Sequence, residues 1–469
     1  MNRSHRFTTI VFAAVIISLF PFAECIADES AFITTTDYET GSSSVIWLDG
    51  SYTTDVDVTA IHSDAIARWY DGLVYIVNRS PADNIQVLDP EAGFSTIRQF
   101  STGNGTNPQD IAFRSPSKAY IPLYESNDIL IMNPTTGANE GSIDLSAFAD
   151  ADGLCEVSRV FIKHDILFAT IQRLDRNNYW GPVGDSYIAV VDCASDTLID
   201  CDDSTPGIQA IQLAGTNPFS AIVLDPSSGN LAVSCVGWWG VQDAGVELID
   251  PSSLSTAGYL LTESAAGGDI NDIAVLDASK GFAIVTNSSF QTDVISFNPS
   301  TGLAVSTIYS PGAYVLNDIE ISPNSELFIA DQTATSPGIH IYDALAEVMI
   351  TSSPISTGLP PFNISFSASE FTGTEIPPVA RLGSSYPNPF NPSTTIPYFT
   401  NSTSRVRLEI FDITGRMIST LVDEIHEKGA YKAFWDGRNE NGLTVASGVY
   451  FLRFTSGDVA ESKKLVLVR

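Results

Sequence analysis

Short apolar runs, rich in valine, isoleucine, leucine and aromatic residues, recur along the chain from about residue 30 to its end. Stretches of Gly, Pro, Asn, Asp and Ser separate them, as in "VLDPEAG" and "FNPSTG". Proline fixes φ and glycine accepts positive φ, so these stretches have the chemistry of tight turns. Short β-rich runs bounded by such turns predict strands. The pattern therefore predicts an all-β protein.

An Asp or Asn that closes a strand-like run recurs at a similar interval. It falls at positions 49, 89, 133, 192, 250, 298 and 343, which gives intervals of 40, 44, 59, 58, 48 and 45 residues. A second marker keeps the same phase: "QDIAF" at 109, "FSAIVLD" at 219, "NDIAVLD" at 271, "NDIEISP" at 317 and "FNISFS" at 362. This period is typical of four-stranded propeller blades, with insertions in two of them. The seven markers predict a seven-bladed β-propeller.

The seventh blade is expected to take strands from both ends of this module. "AFITTT" and "SVIWLD" near the N-terminus lack a preceding inner strand, whereas "NISFS" near 364 lacks successors. Joining them completes a blade and locks the ring. The repeats "VYIVNRSPADNIQVLDPEAG" (74–93) and "AIVTNSSFQTDVISFNPSTG" (283–302) resemble the YVTN-type bacterial propeller family. That resemblance covers roughly 30–370 and implies a fold, because propellers host many activities.

The last 84 residues differ in character from the propeller region. Alternating apolar residues and Gly/Asn turns predict a small antiparallel β-sandwich. Several motifs resemble the C-terminal sorting domain of the type IX secretion system, which overlaps the FlgD-like immunoglobulin fold. The residues that carry the resemblance are Tyr386, Pro387, Asn388, Pro389, Phe390, Asp412, Gly415, Arg416, Trp435, Asp436, Gly437, Gly448, Val449 and Tyr450.

This resemblance implies recognition by outer-membrane export machinery, then removal of the tail, with release or attachment at the cell surface. The proline-rich stretch at 386–392 would be a rigid lead-in that sets the register of the first strand, since proline cannot join an interior ladder. The predicted segments are a signal peptide at 1–27, a propeller at 28–370, a linker at 371–385 and the sorting domain at 386–469.

The first residues have the features of a secretory signal peptide. Arg3 and Arg6 precede the apolar run 10–20, and Ala27 offers a small residue for cleavage. The run is too short to span a bilayer, which takes about 20 residues. We therefore expect export to the outer cell surface or the medium, without a transmembrane anchor.

The formal charge of −32 is concentrated in the propeller region. Residues 28–385 contain 45 acidic and 11 basic residues, a net charge of −34, whereas residues 386–469 contain 9 and 10. A surface this acidic repels phosphate polymers, so we expect no nucleic-acid partner. Solubility in a salty exterior is the simpler explanation of the charge, and cation binding is the rarer one.

Two long loops are predicted to lie on one face of adjacent blades, at 173–185 and 237–245. They carry Tyr179, Trp180, Trp238 and Trp239, which would form a recognition patch for a sugar ring or a protein. The alternative is that these rings only pack the two loops against each other. Arg173 and Arg176 lie in the first loop and are included in the predicted ligand site.

Three carboxylates precede that blade, at Asp150, Asp152 and Glu156. Together with Gly153 they could hold Ca²⁺, the one cofactor that the sequence suggests. They could equally form ion pairs with Arg173 and Arg176, and loop acids in ion pairs are commoner than metal sites.

Four cysteines follow the predicted signal peptide. Cys193 and Cys201 flank "ASDTLID" in a predicted hairpin, and exported chains can form disulfides, so this pair is a candidate. Spacing gives no support for a bond between Cys155 and Cys235.

No nucleophile elbow, phosphate-binding loop or dinucleotide fingerprint occurs, and the propeller histidines fall in different blades. Catalytic residues are therefore not assigned. We expect a binding protein for a glycan or protein ligand, delivered by its tail. The alternative is a secreted carboxylate-based lyase or hydrolase, with or without Ca²⁺.

Overall fold

The structure is a computed structural model that describes residues 29–202, 204–367, 381–382, 385, 388, 390–400, 403–426, 429–457 and 459–468. The predicted signal peptide and part of the predicted linker lie outside the described residues, as do Tyr386, Pro387 and Pro389 of the proline-rich stretch. Within the described residues no helix combines the length and apolar content that crossing a membrane requires.

Seven antiparallel sheets follow one another along residues 30–367, and we number these blades by the chain order of their inner strands. The first three strands belong to blade 7: β1 (Ser30–Thr36), β2 (Gly41–Trp47) and β3 (Thr54–Asp55). Blade 1 contains β4 (Ala65–Tyr70), β5 (Leu73–Asn78), β6 (Asn84–Asp89) and β7 (Ser95–Ser101). Blade 2 contains β8 (Ala112–Ser115), β9 (Lys118–Leu123), β10 (Asp128–Met132) and β11 (Asn139–Asp144).

Blades 3 and 4 carry the insertions. Blade 3 contains β12 (Val157–Lys163), β13 (Ile166–Ile171), β16 (Tyr187–Asp192), β17 (Thr197–Leu198) and β18 (Ile211–Gln212), and its loop forms the small ribbon β14 (Leu174–Asp175) and β15 (Gly181–Pro182). Blade 4 contains β19 (Val223–Leu224), β20 (Leu231–Cys235), β21 (Gly245–Asp250) and β22 (Ser255–Thr262).

The remaining blades are regular. Blade 5 contains β23 (Asp269–Asp277), β24 (Lys280–Thr286), β25 (Gln291–Asn298) and β26 (Leu303–Ala313). Blade 6 contains β27 (Leu316–Ile321), β28 (Glu326–Asp331), β29 (Gly338–Asp343) and β30 (Val348–Met349), and β31 (Pro361–Phe366) completes blade 7. The described helical turns are α1 (Glu263–Ala266) and the 3-10 turns Pro90–Ala92 and Ser146–Phe148.

Ring closure occurs as the sequence predicts. Inner strand β31 pairs with β1 in an antiparallel ladder that includes Phe32 opposite Ser365 and Ile33 opposite Ile364. The alternate residues of β1 then face opposite sides: Ile33 packs in a cluster with blade 6, and Phe32 packs in a cluster with blade 1. Each of the other interfaces between consecutive blades also holds an apolar cluster. These seven clusters form the core of the propeller.

The first sequence marker is a turn device. Each closing Asp or Asn accepts a hydrogen bond from a backbone N–H two or three residues ahead, which fixes the turn into the outer strand. The contacts are at Asp49, Asp89, Asn133, Asp192, Asp250, Asn298 and Asp343.

The second marker joins neighbouring blades near the central axis. Asp272 Oδ2 accepts from the N–H of Ile319 at 3.0 Å, and Asp318 Oδ2 accepts from the N–H of Ile364 at 2.6 Å. Asn363 Oδ1 accepts from the N–H of Ala67 at 2.9 Å, so the same contact crosses the closure between blades 7 and 1. The recurring Asp/Asn-Ile pair therefore holds each of these inner strands to the next.

The tail forms two facing sheets. One contains β32 (Arg381–Leu382), β33 (Thr394–Thr400) and β36 (Gly429–Trp435), and the other contains β34 (Ser404–Asp412), β35 (Met417–His426), β37 (Gly448–Ser456) and β38 (Val459–Leu467). Strand β32 falls inside the predicted linker because the Leu382 side chain is buried in the sandwich core beside Phe390 and Trp435.

The predicted bond between Cys193 and Cys201 does not form, and all four described cysteines are free thiols. Cys193 is buried in the cluster between blades 2 and 3, whereas Cys201 packs on the cluster between blades 3 and 4. The two side chains thus face opposite sides of one sheet. Cys155 and Cys235 are also buried and unpaired with each other.

Candidate functional site

One face of the propeller collects the loops between second and third strands and those that lead to the next inner strand. The longest of them, residues 172–186, folds back on itself through the ribbon β14–β15. Asp175 organises its tip, because its carbonyl accepts from the N–H groups of Asn178 and Trp180 at 3.0 and 3.1 Å. Tyr179 and Trp180 have φ of 55° and 56°, a left-handed backbone that non-glycine residues adopt at some energetic cost.

Arg176 ties this loop to blades 2 and 3. Its Nε lies 3.0 Å from Glu156 Oε1, and its Nη1 lies 2.5 Å from Glu125 Oε2. Its guanidinium carbon is 5.0 Å from the centre of the Trp180 ring, a cation–π distance. The aromatic tip is therefore anchored by an arginine that is itself anchored by two carboxylates.

Two of the three carboxylates considered as a calcium site, Glu156 and Asp152, lie against this arginine. Glu156 is fully buried and also accepts from the N–H of Leu174 at 3.1 Å, and Asp152 Oδ2 lies 4.0 Å from Arg176 Nε. Asp150 Oδ1 accepts from the N–H of Asp152 within its own turn. Among the described residues no group of three or more His, Cys, Asp or Glu side chains has metal-site geometry. The ion-pair alternative therefore describes Glu156 and Asp152, and the geometry of the described residues does not support the calcium alternative.

Arg173 plays a different part from Arg176. Its Nη1 donates to the Asp185 carbonyl at 3.0 Å, and its guanidinium lies 5.7 Å from the centre of the Tyr187 ring. It closes the base of the loop. The structure therefore places Arg176 against Trp180 at the tip of the loop and Arg173 at its base.

The loop 236–244 lies directly against the first one. The Trp238 ring packs on Gly181, where any side chain would collide with it, and the Trp239 ring meets Phe219 edge-on at 5.3 Å. Three carboxylates hold this loop from below through its backbone N–H groups. Asp243 accepts from Trp238, Asp269 from Gly240 and Glu263 from Ala244, at 3.2, 2.7 and 2.9 Å.

The four predicted aromatic residues remain substantially exposed even though their loops are packed together. The exposed fractions are 92% for Tyr179, 45% for Trp180, and 41% each for Trp238 and Trp239. The rings therefore pack the two loops against each other, as one sequence interpretation has it, and they also stay exposed to solvent, as a recognition patch requires.

Further exposed aromatic residues on the same face were not predicted. Phe219 joins the patch through Trp239, and Phe290 stacks on Tyr314 at 5.5 Å between blades 5 and 6. Tyr38 of blade 7 lies farther around the ring and is also exposed. The signal for Phe219 and Phe290 was present, since both lie in the loops whose phase the repeat defines.

The central axis holds a second polar cluster that sequence reasoning did not assign. Arg68 of β4 pairs with Asp110 at 3.0 Å, and Arg159 of β12 lies near both. Burial raises the pKa of Asp272 well above its usual value, and the nearby Asp318 raises it further by repulsion and by a hydrogen bond between the two groups.

Two carboxyl groups, Glu320 and Glu263, have pKa values raised to about 8. Burial raises the pKa of Glu320, beside the axial pair, to about 8, with a further contribution from Asp318. Burial likewise raises the pKa of Glu263 to about 8, and the charges of Asp269 and Asp243 add to the effect. Both groups are largely protonated at neutral pH.

In the tail, the motif residues within the described part of the chain build the fold. Asn388 makes two hydrogen bonds to the final strand: its Nδ2 donates to the Lys464 carbonyl at 2.8 Å, and its Oδ1 accepts from the N–H of Val466 at 2.7 Å. Phe390 bridges Leu467 and packs on Trp435 at 5.3 Å. The stretch predicted to set the first strand thus also contacts the last one.

The remaining motif residues form turns and the sandwich core. Hydrogen bonds from Thr414 and Arg416 lower the pKa of Asp412 to about 2, and Gly415 takes φ of 79° in the same turn. Trp435 is buried and donates from Nε1 to the Arg438 carbonyl at 2.9 Å. The other described members lie at Asp436, Gly437, Gly448, Val449 and Tyr450, in the turn after β36 or at the start of β37.

Comparison with known families and structures agrees with this architecture. Residues 391–458 match the model of the FlgD Ig-like domain. The tail is a FlgD Ig-like domain. A search of curated protein sequences gave no match to the chain.

Among solved structures, a putative 6-phosphogluconolactonase from Bacteroides fragilis is 14% identical, with a TM-score of 0.51, over 72% of this chain and 98% of that one. At this identity the likeness supports the propeller fold alone. PorZ, a surface component of the type-IX secretion system of Porphyromonas gingivalis, is 16% identical with a TM-score of 0.43. That alignment covers 92% of this chain and 64% of PorZ, and a score this low carries no argument.

Proposed function

We propose that this protein is an exported propeller that binds a glycan or protein ligand at the outer cell surface or in the medium. The observation that carries the proposal is the patch of Tyr179, Trp180, Trp238 and Trp239, which stays exposed on loops fixed by carboxylates and arginines. We call these four residues the aromatic patch.

The support beneath the patch matters because binding loses free energy when loops must be ordered first. Trp238 rests on Gly181, and Arg176 lies beneath Trp180, so neither ring depends on a ligand for its position. Flat aromatic faces offer sugar rings and protein side chains a large contact area at a small entropic cost. Preorganised, exposed aromatic rings are typical of binding hot spots.

A glycan array probed with the full chain tests this function. We expect the wild-type protein to retain specific glycans and the double variant Trp238→Ala/Trp239→Ala to lose them. Phe434→Ala is a matched control, because Phe434 is an exposed aromatic residue of the sandwich. Retention of the same glycans by the double variant would contradict the proposal, and an array without hits, followed by capture of a protein ligand that needs the patch, would select a protein partner.

We propose that the FlgD Ig-like tail delivers the propeller through a type IX export system. Its sequence motifs and the contacts that Asn388 and Phe390 make with the final strand support this role. In the native host, mass spectrometry of the external protein should find the propeller without residues 386–469. Intact precursor accumulating in the periplasm would contradict delivery by this route.

A secreted carboxylate enzyme is the second candidate, and one observation favours it. Asp272, Asp318 and Glu320 lie together at the axis with raised pKa values, and a protonated carboxyl group at neutral pH can act as a general acid. However, Asp272 and Asp318 already accept backbone hydrogen bonds between blades. Loss of a measured hydrolase or lyase activity in Glu320→Gln, with unchanged thermal stability, would favour the enzyme.

A further inference from the structure

Three arginines meet at the loop-face end of the central axis. Arg68 lies on β4, Arg159 lies on β12, and Arg79 follows β5. They are three of the 11 basic residues between positions 28 and 385, a region with 45 acidic ones. Arg68 and Arg79 belong to blade 1 and Arg159 to blade 3, so their charges can act on one another only around the axis. Like charges this close repel, which makes the grouping costly without a compensating partner.

Two of the arginines are paired. Arg68 Nε lies 3.0 Å from Asp110 Oδ1, and Arg79 Nη1 lies 3.0 Å from Asp64 Oδ1. Arg159 differs, because within the described residues no carboxylate lies within ion-pair distance of it. Its Nη1 has a contact of 3.5 Å to the Gln109 carbonyl. Burial and repulsion by Arg79 and Arg68 lower the pKa of Arg159 to about 10, whereas attraction by Asp110 and Asp272 acts in the opposite direction, so Arg159 remains charged at neutral pH.

Arg79 adds unsatisfied donors to this charge. Its side chain is about nine-tenths buried, and no described residue accepts a hydrogen bond from its Nε or Nη2. A buried donor without an acceptor costs roughly 1–3 kcal/mol. Among the described residues, the group therefore has a charged guanidinium without a direct ion pair, on Arg159, and N–H donors without acceptors, on Arg79.

The acids on the far wall form no ion pair with Arg159 among the described residues. Asp272 attracts it at longer range, although burial and the neighbouring Asp318 raise the pKa of Asp272 well above its usual value. The pKa of Glu320 is raised to about 8, so this group is largely protonated at neutral pH. Asp318 accepts hydrogen bonds from the N–H of Ile364 and from the side chain of Asn363. Arg159 is therefore left without a direct ion-pair partner at the axis.

We propose that Arg159 and Arg79 form a binding site for the carboxylate group of a small anionic ligand, such as a sugar acid, that enters from the loop face. Guanidinium groups bind carboxylates through paired N–H donors, and a carboxylate here would supply acceptors for the free donors of Arg79 and a direct ion-pair partner for Arg159. The site is separate from the aromatic patch and does not depend on it.

Calorimetric titration of the full chain with D-galacturonate tests the site, with D-galactose as the neutral counterpart. We expect galacturonate to bind, with an affinity that weakens as salt rises, and galactose not to bind. Arg159→Gln should weaken galacturonate binding at least tenfold. Arg114→Gln, which removes a surface arginine paired with Asp165, should leave it unchanged. Equal binding of galacturonate by wild type and Arg159→Gln, or no binding by the wild type, would overturn the proposal.

Two further arms separate this proposal from its alternatives. Tighter binding of inorganic phosphate than of galacturonate at this site would overturn the carboxylate assignment. Because Arg159 is repelled by its neighbours, Arg159→Gln should keep or raise the thermal unfolding midpoint, whereas a clear fall would show a structural role instead. Unchanged galacturonate binding by Trp238→Ala/Trp239→Ala would confirm that the site is independent of the aromatic patch.

Discussion

At the scale of single residues, three carboxyl groups lie beneath the loop 236–244 without a basic partner among the described residues. Glu263 is fully buried, Asp243 and Asp269 lie near it, and Tyr259 and Cys235 are the other titratable groups that interact with it. Within the described residues no basic side chain is paired with these three acids. The proton on Glu263 therefore limits the repulsion among them.

This arrangement predicts a dependence of stability on pH. The folded-state pKa of Glu263 lies near 8, above its unfolded value of 4.5, so the folded state is penalised progressively as pH rises through this interval. One pKa unit is worth about 1.4 kcal/mol, so the loss is on the order of 4 kcal/mol between pH 5 and pH 9. Glu263→Gln should reduce it, as measured by urea unfolding at several pH values, and an unchanged pH profile would contradict this.

Arg176 is the residue on which the first aromatic loop depends. Arg176→Met should destabilise the protein by about 3–5 kcal/mol, because it leaves the buried Glu156 without its charged partner. Arg114→Met, at an exposed pair, should cost under about 1 kcal/mol. Urea unfolding measures the loss of stability in both variants, and equal small losses would contradict the anchoring role of Arg176.

A chelator should leave the urea unfolding midpoint of the wild-type protein unchanged, since Glu156 and Asp152 pair with Arg176.

At the scale of elements, the final strand of the sandwich is held by a segment far upstream in sequence. Strand β38 pairs with β37 along its length, and Asn388 and Phe390 add contacts near its end. An element held on both sides resists fraying.

Phe390→Ala tests whether these contacts hold strand β38 in place. It removes a buried ring that contacts Trp435, so the sandwich should lose about 3–5 kcal/mol and its last strand should become sensitive to limited proteolysis. Phe434→Ala, at an exposed ring, should change neither property. Mass spectrometry of the cleavage products identifies the strand that is released. Cleavage rates equal to wild type in Phe390→Ala would contradict the claim that Phe390 holds strand β38.

At the scale of the whole molecule, the ring is closed by strands more than 300 residues apart in sequence. The N–H of Ser30 donates to Ser367 Oγ at 2.9 Å, and the N–H of Ser367 donates to the Ser30 carbonyl at 2.9 Å. Such a closure links the two ends of the propeller and makes its blades interdependent.

The double variant Ser30→Cys/Ser367→Cys should therefore form a disulfide under mild oxidation and raise the thermal unfolding midpoint, since the bond closes a very long loop. Each single variant controls for the four native thiols. Failure of the pair to cross-link in the folded protein would contradict ring closure between β1 and β31.

The fold could be predicted largely from sequence because each blade repeats the same turn residue. Asp89, Asn133 and Asp250 each close the third strand of a blade and are followed by a proline, so each marks the turn into the outer strand. The spacing of these turns reveals the order of the strands. The exposure of Trp238 and Trp239 was also predictable, since both lie in an inserted loop whose face the phase defines.

The rest depends on distances that no local pattern encodes. Arg68 and Arg159 stand on ordinary inner strands, and only ring closure brings them to one axis. Likewise, only the folded sheet shows that Cys193 faces the interface between blades 2 and 3, whereas Cys201 faces the interface between blades 3 and 4. The role of Asp318 as an inter-blade contact appears only when Ile364 of the next blade is in place.

Ligand affinity at the aromatic patch is the most direct test of the proposed function. The tightest ligand from the glycan array should be titrated calorimetrically into the wild type, Trp238→Ala/Trp239→Ala and Phe434→Ala. Removing two hot-spot rings should cost at least about 2 kcal/mol, a loss of roughly thirtyfold in affinity, while Phe434→Ala binds like the wild type. Equal affinity in all three proteins would contradict binding through this face.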